Sequence, residues 1–138
     1  MIVYCTGTKR GSEAHQKLLK NIIEFTESLG HTALSEASSK FSSTIPLTDK
    51  QTYKRNLKWI DGSKIVISEI SNPDLEVGIE LTYALFQRKT PVLALHISNA
   101  PKISPMLTGC DSSLLSIQKY ADVNEMQSII KTYLSKIS

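Results

Sequence analysis

Short apolar runs typical of buried strands alternate with amphipathic segments along the 138 residues of this chain. The clearest run is KIVISEI at residues 64–70, and TPVLALHI at residues 90–97 is the second. Weaker strands are predicted at residues 1–7, 31–37 and 114–118. Helices are predicted at residues 12–29, 48–62, 75–88 and 123–136. Strands that alternate with helices in this way predict one five-stranded parallel sheet with helices on both faces.

Right-handed crossovers narrow this α/β architecture to a flavodoxin-like (Rossmann-like) fold with strand order 2-1-3-4-5. Ligands of such sheets bind outside the carboxyl ends of the strands, where the strand order reverses. The loop after the first strand and the loop after the third strand should therefore lie side by side. A chain of this length forms one domain, residues 1–138, with one core.

Composition excludes several classes of function. The net charge is only +3 and the 16 basic residues are scattered, so no nucleic-acid-binding block is present. No apolar run reaches the 18 or more residues of a membrane span, and the N-terminus lacks the pattern of a signal peptide. Cys5 and Cys110 lie in a predicted buried strand and a distant loop, which is typical of reduced thiols. We therefore expect a cytoplasmic protein without membrane or nucleic-acid partners.

Metal and serine-nucleophile chemistry also lack support in the sequence. His15, His31 and His96 are far apart and show no ligand spacing such as HxxxH or HExxH. The chain contains no GxSxG turn. We expect neither a metal nor another cofactor.

The segment SNPDLEVGIELTYAL, residues 71–85, follows the clearest strand and carries two notable acids. Asp74 is a plausible N-cap of the helix that begins there. Glu80 lies on the flank of the apolar stripe of that helix, so we expect it to be half-buried beside the strand ends. A carboxylate there suits a nucleophile. A structural pair, or an acid that complements the helix dipole, explains the position equally well.

The first loop, TGTKRGS at residues 6–12, matches neither the Walker motif nor GxGxxG. It does combine the Thr8 hydroxyl, the Arg10 guanidinium and free backbone N–H groups at a helix start, which are components of an anion site. A solvated arginine in a turn is the alternative. The Ser-rich stretch at residues 38–44 is either a surface loop or a lid over the site.

Three ordered blocks, YCTGTKRG, NLKWIDGSKIVISEISNPDLEVGIELTYAL and KISPMLTG, resemble the nucleoside 2-deoxyribosyltransferase superfamily. The chain is most similar to the branch of 2'-deoxynucleoside 5'-phosphate N-hydrolases, from Ile2 to about Gly109. The resemblance implies cleavage of the bond between base and deoxyribose. A glutamate in the family's G-x-E-L helix attacks the anomeric carbon, and it matches Glu80, two residues after Gly78. The tyrosine that orients this nucleophile matches Tyr4.

The resemblance also implies how the substrate is bound. Thr8, Arg10 and Ser104 match the positions that hold the 5'-phosphate, and Gly7 and Gly78 are expected to line the substrate site. In the family, the segment that contains Ser104 and Met106 reaches into the site of a second subunit. The resemblance therefore implies a homodimer that acts on a small-molecule nucleotide or nucleoside.

Two positions depart from the family pattern. The aspartate of the second helix that assists the departing base is Asn56 here, which can donate a hydrogen bond but cannot transfer a proton. The phosphate-binding serine of the hydrolases is Asp74 here, as in the transferase branch, and a carboxylate would repel a nearby phosphate. Glu76 stands where many relatives have glycine.

The leading hypothesis is an N-glycosidase acting on (deoxy)nucleoside 5'-monophosphates, with Glu80, Tyr4 and Asn56 at the reacting centre. Asp74 motivates an alternative, a deoxyribosyltransferase acting on free nucleosides. Asn56 motivates another, a nucleotide-binding module with weak turnover.

Overall fold

The computed structural model describes residues 1–9, 12–41 and 44–137. The strands are β1 Ile2–Thr6, β2 Thr32–Leu34, β3 Ile65–Glu69, β4 Val92–Ile97 and β5 Leu115–Tyr120. The helices are α1 Glu13–Ser28, α2 Asp49–Asp61, α3 Leu75–Thr82, α4 Pro105–Thr108 and α5 Val123–Ile137. All neighbouring strands pair in parallel, in the order β2-β1-β3-β4-β5. The predicted fold class and strand order are confirmed.

The sheet separates two apolar cores, because successive strand residues point to opposite faces. Val3 and Cys5 of β1 pack with buried residues of α1 and α5. Tyr4 packs on the other face, with residues of α2 and α3 such as Ile60 and Leu81. At the carboxyl ends of β1 and β3, the side chains on this face therefore point toward α2 and α3.

The predicted helix starts are confirmed by their caps. The Thr48 side chain accepts from the Gln51 backbone N–H, and the Gln51 side chain accepts from the Thr48 N–H, which completes a capping box. Asp122 accepts from the backbone N–H of Glu125 at the start of α5. Asp74 caps α3 by accepting from the backbone N–H groups of Glu76 and Val77, at 2.9 and 3.3 Å.

Several boundaries differ from the sequence prediction. Strand β2 spans only Thr32–Leu34, because it pairs with β1 alone at the sheet edge. The segment before β5 contains a short helix, α4, which the sequence did not predict because Pro101 and Pro105 indicated an irregular segment. Helix α3 continues into a π-helical turn at Tyr83–Gln87, and Lys89 then adopts a left-handed φ of 54°. The helical spacing of Leu18, Ile22, Phe25 and Leu29 predicts an apolar stripe on α1, but only Ile22 of these four is fully buried. The buried stripe is Leu19, Ile22, Ile23 and Thr26.

None of the helices in the described ranges is both long and apolar enough to cross a lipid bilayer. Across those same ranges, no three His, Cys, Asp or Glu side chains are arranged to hold a metal ion. Cys5 is a buried free thiol and Cys110 a half-buried one.

Candidate active site

Glu80 lies at the centre of a buried polar cluster at the carboxyl end of β1. Its exposed fraction is 3%, so it is buried more deeply than the half-buried position predicted from the helix alone. The Tyr4 hydroxyl donates to Oε2, and the Thr6 hydroxyl donates to Oε1 at 2.5 Å. The Asn56 amide lies 3.4 Å from Oε2. The predicted catalytic residues Tyr4, Asn56 and Glu80 are thus brought together.

The alternation of side chains along β1 explains this arrangement. Tyr4 and Thr6 are two residues apart, so both point to the face covered by α3. Glu80 lies in the second turn of α3, whose N-terminus Asp74 caps. Its carboxylate faces β1, where it accepts from Tyr4 and Thr6. Thr6 was missed by the sequence analysis, although the period-two pattern that starts at Tyr4 was a usable signal.

The tyrosine is held in its neutral, hydrogen-donating form. Burial, followed by the charge of Glu80, raises the pKa of the Tyr4 phenol well above its usual value. A phenol that keeps its proton can donate to the carboxylate throughout the physiological pH range. Tyr4 therefore orients the Glu80 side chain by donating to Oε2.

Lys9 is a second residue that the sequence analysis missed. Its Nζ lies 3.5 Å from Glu80 Oε1, 3.1 Å from Glu76 Oε1 and 3.7 Å from Glu36 Oε2. It also donates to the Thr6 hydroxyl at 3.1 Å. Its side chain is only 7% exposed, so one ammonium group bridges three carboxylates in the closed part of the site.

Arg55 of α2 completes the charged surroundings of Glu80. Its Nη2 lies 3.4 Å from Glu36 Oε1, and its Nε donates to the Asn56 Oδ1 at 3.1 Å. The guanidinium stacks on the Trp59 ring, 4.6 Å from the centroid. Burial and then the charge of Glu76 raise the pKa of the Glu36 carboxyl, against the opposing effect of Lys9.

The first loop lies beside the loop after β3, as predicted. Thr8 is 3% exposed, and its hydroxyl accepts from the Asn72 amide at 3.2 Å. A Cβ added at Gly7 would lie 3.1 Å from Glu69 Cβ and 3.2 Å from its backbone oxygen, so the close approach of the two strand ends favours glycine. Arg10 lies outside the described residues, and its role in an anion site stays a prediction.

Four of the predicted binding residues line a separate, open groove of about 1130 Å³ beside α3: Asp74, Gly78, Ser104 and Met106. Ser104 caps α4 by accepting from the Met106 N–H at 3.2 Å, and the Met106 side chain is 84% exposed. Among the described hydrogen bonds and ion pairs, none joins this pair to Glu80. A substrate role for these four residues stays a prediction.

The Ser-rich stretch is partly described. Ser39–Phe41 forms one 3-10 turn, whose Phe41 ring meets Trp59 at a centroid distance of 5.5 Å. This segment therefore packs against α2, on the same side as Asn56. Ser42 and Ser43 lie outside the described residues, so the choice between lid and surface loop stays open.

Chemically, this cluster presents a carboxyl group whose two oxygens receive oriented donors from a strand and a helix. Such a carboxylate can attack an electrophilic carbon and form a covalent intermediate. Cys5 cannot serve this role, because burial raises the pKa of its thiol to about 12.

Sequence comparison finds relatives over the whole chain. The 5-hydroxymethyl-dUMP N-hydrolase of Esox lucius is 26% identical over 144 residues, which cover 100% of this chain and 99% of the relative. No protein-family model matches. The resemblance to nucleotide N-hydrolases predicted from the three sequence blocks is confirmed.

Structure comparison shows the same fold. The Clostridium botulinum CMP N-glycosidase has a TM-score of 0.72 at 15% identity, covering 96% of this chain and 100% of that one. The 2-deoxyribosyltransferase of Bacillus psychrosaccharolyticus has a TM-score of 0.68 at 18% identity, covering 92% and 90%. The fold of this chain is therefore that of the nucleoside deoxyribosyltransferases.

Proposed function

We propose that this protein is an N-glycosidase that hydrolyses the base–sugar bond of 2'-deoxynucleoside 5'-monophosphates, with Glu80 as its nucleophile. The observation that carries the proposal is the buried Glu80 carboxylate, which receives hydrogen bonds from Tyr4 and Thr6 at the carboxyl edge of the sheet. The substrate class is supported by the full-length similarity to a 5-hydroxymethyl-dUMP N-hydrolase.

The reaction proceeds in two displacements at the anomeric carbon, as in retaining glycosidases. A Glu80 oxygen attacks this carbon while the bond to the base breaks, which leaves a glycosyl-enzyme ester. Water then attacks the same carbon and releases Glu80. Tyr4, Thr6 and Asn56 hold the carboxylate in the orientation for attack, so little reorganisation is needed during the reaction.

A phosphate on the substrate suits the opening at the start of α1. A cavity of about 270 Å³ there is lined by Thr8, Lys9, Lys17 and Lys20, among others. Lys17, Lys20 and the first turn of α1 favour an anion, against the opposing charge of Glu13 in the same lining, whereas the Lys9 ammonium is already paired with three carboxylates. Binding energy from a phosphate remote from the reacting bond can stabilise the transition state at the sugar. We assign this contact to Thr8 and Arg10.

We propose further that the site is completed by a second copy of the chain. Ser104 lines the groove beside α3 and not the cavity at Thr8, so within one chain the two phosphate-binding candidates face different openings. The outer face of α3 also exposes the large apolar side chains Leu75 and Ile79, by 83% and 52%. Such a patch is typical of an interface. Ile79→Glu should convert a dimer into monomers in sedimentation velocity, whereas a monomeric parent protein would contradict this.

The test of the activity is release of free base from 5-hydroxymethyl-dUMP, dCMP and CMP, followed by chromatography. We expect the wild-type protein to release base, and Glu80→Ala to abolish release while nucleotide binding persists in a thermal-shift assay. Glu24→Ala is the matched control, because Glu24 is an exposed acid of α1. Normal turnover by Glu80→Ala would refute the nucleophile.

The same assay separates the alternatives. A transferase uses an added free base in place of water in the second step, so an exchanged nucleoside would assign that reaction. Nucleotide binding without release of base from the whole panel would assign a binding module.

A further inference from the structure

The proposed reaction needs a proton donor, and Asn56 is not one. When the base departs it takes the electron pair of the broken bond, and an acid normally supplies a proton to it. An amide such as Asn56 can only donate a hydrogen bond. The Tyr4 phenol is committed to Glu80. The proton must come from another group near the nucleophile.

Glu76 lies next to Glu80 on the same face of α3. Residues four apart on a helix are neighbours. Lys9 Nζ lies 3.1 Å from Glu76 Oε1 and 3.5 Å from Glu80 Oε1, so these two oxygens are no farther apart than the sum of the two distances. Retaining glycosidases hold their two carboxyl groups about 5–5.5 Å apart, and inverting ones about 6.5–9.5 Å. The Lys9 bridge therefore holds the Glu76 and Glu80 carboxyl groups close together, which is compatible with the shorter separation of retaining enzymes.

Glu76 is also better placed than Lys9 to meet the substrate. The Lys9 side chain is 7% exposed and enclosed by three carboxylates. The Glu76 side chain is 33% exposed, at the open side of the cluster, where a substrate can reach it. A departing base can therefore contact Glu76 without displacing Lys9.

We propose that Glu76 is the acid/base partner of Glu80, taking the role that Asn56 cannot perform. The inference rests on the proposed function and adds a catalytic residue to it. Glu36, Glu76 and Glu80 surround Lys9, and Arg55 is the second cation of the cluster. Glu36 is hydrogen-bonded to Glu76, and burial and then the charge of Glu76 raise the pKa of the Glu36 carboxyl, so this pair favours a shared proton that Glu76 can pass to the base.

The two steps balance in protons and electrons. In the first, Glu80 forms a bond to the anomeric carbon, the carbon–nitrogen bond breaks, and its electron pair stays on the base, which takes the Glu76 proton. In the second, the Glu76 carboxylate takes a proton from water as the water oxygen bonds to the anomeric carbon. The bond to Glu80 breaks, its electrons return to the carboxylate, and Glu76 is again protonated.

The test is Glu76→Gln, which keeps the size of the side chain and removes the proton. With 5-hydroxymethyl-dUMP, the first step should slow about 10²- to 10⁴-fold, the usual contribution of an acid/base group. With 5-fluoro-dUMP the loss should be smaller, because the more acidic base departs with less protonation. Equal losses on both substrates, or no loss, would overturn the proposal.

Sodium azide provides a measurement that would not change if Glu76 had only a structural role. Azide needs no general base, so Glu76→Gln and Glu76→Ala should form 2-deoxyribosyl azide 5-phosphate from 5-fluoro-dUMP. The wild-type protein and Glu24→Gln should form the hydrolysis product. Absence of the azide product from both Glu76 variants would refute the assignment.

The outcomes also separate this inference from the proposed function. Base release by the wild-type protein and its loss in Glu80→Ala support the glycosidase whatever Glu76 does. If the fluorinated-substrate preference and the azide product arise instead with Lys9→Met, Lys9 is the proton donor and the assignment of Glu76 is wrong.

Discussion

The Asn56 amide nitrogen lies 3.4 Å from Glu80 Oε2, the same oxygen that accepts from the Tyr4 hydroxyl. Arg55 Nε fixes this orientation by donating to the Asn56 Oδ1 at 3.1 Å, so the NH2 group must face the carboxylate. Asn56 is thus a donor to the Glu80 side chain. The amide adds no charge beside the carboxylate, whereas an aspartate would.

Asn56→Asp should lower stability, and more at pH 8 than at pH 5. Burial and the charge of Glu80 should raise the pKa of the introduced carboxyl above its unfolded value of about 3.9, against the opposing effect of the Arg55 guanidinium. The folded state then binds more protons than the unfolded state, so stability falls as the pH rises through the folded pKa. We expect a loss of about 1–3 kcal/mol at pH 8 in urea unfolding. Asn99→Asp, in an exposed turn, is the control, and an equal loss at both pH values would contradict the prediction.

Tyr4→Phe and Thr6→Val should each slow base release. Each variant removes one hydroxyl that donates to the Glu80 carboxylate, and hydrogen bonds to charged groups contribute about 1.5–3 kcal/mol. The expected fall in kcat is about 10- to 100-fold, measured as initial rates at saturating nucleotide. Tyr53→Phe, at a tyrosine that is 59% exposed, should keep the parent rate. A parent rate in both site variants would mean that these donors do not position the nucleophile.

Gly7→Ala and Gly78→Ala should change stability in opposite directions. The Cβ at residue 7 would press on Glu69 Cβ and its backbone oxygen, which cannot move freely, so we expect a loss of about 1–3 kcal/mol. The Cβ at residue 78 meets open space inside a helix, where alanine is favoured over glycine by about 0.5–1 kcal/mol. Denaturant unfolding of both variants tests this, and a shared sign would refute it.

Cys5 should resist alkylation in the folded protein. Burial raises the pKa of its thiol to about 12, so almost no thiolate exists at pH 8. Iodoacetamide at pH 8 should modify Cys110 before Cys5, and both in urea, as read by peptide mass spectrometry. Because the folded pKa exceeds the unfolded value, the stability linked to Cys5 should fall between about pH 9 and 12 in the wild type and not in Cys5→Ala. Rapid modification of native Cys5 would contradict the burial.

Part of the site was predictable because it follows from the periodicity of side chains along each element and from the order of strands and helices. Alternating strands and helices define the sheet order, and that order brings the loops after β1 and β3 together. Glu80 and Tyr4 could be identified because they lie within the sequence blocks that resemble the nucleoside 2-deoxyribosyltransferase superfamily. Thr6 was available from the two-residue period of β1, on the same face as Tyr4.

Lys9 and the depth of Glu80 were not predictable in this way. Lys9 contacts Glu36, which follows β2, and Glu76 and Glu80, which lie in successive turns of α3. Its role therefore depends on the first loop, the segment after β2 and helix α3 coming together in the folded chain. Helical periodicity assigned Glu80 to the flank of an apolar stripe. It could not show that the strand end and the Lys9 side chain cover that flank.

The two hydroxyl donors to Glu80 come from a central strand, whereas the residues assigned to the substrate lie in loops and a short helix. Tyr4 and Thr6 are fixed by the pairing of β1 with β3, which a change of loop sequence leaves intact. The loops of this chain can therefore accumulate substitutions that alter which nucleotide is bound while the nucleophile keeps its orientation. Such a division lets one scaffold acquire new substrates by small evolutionary steps.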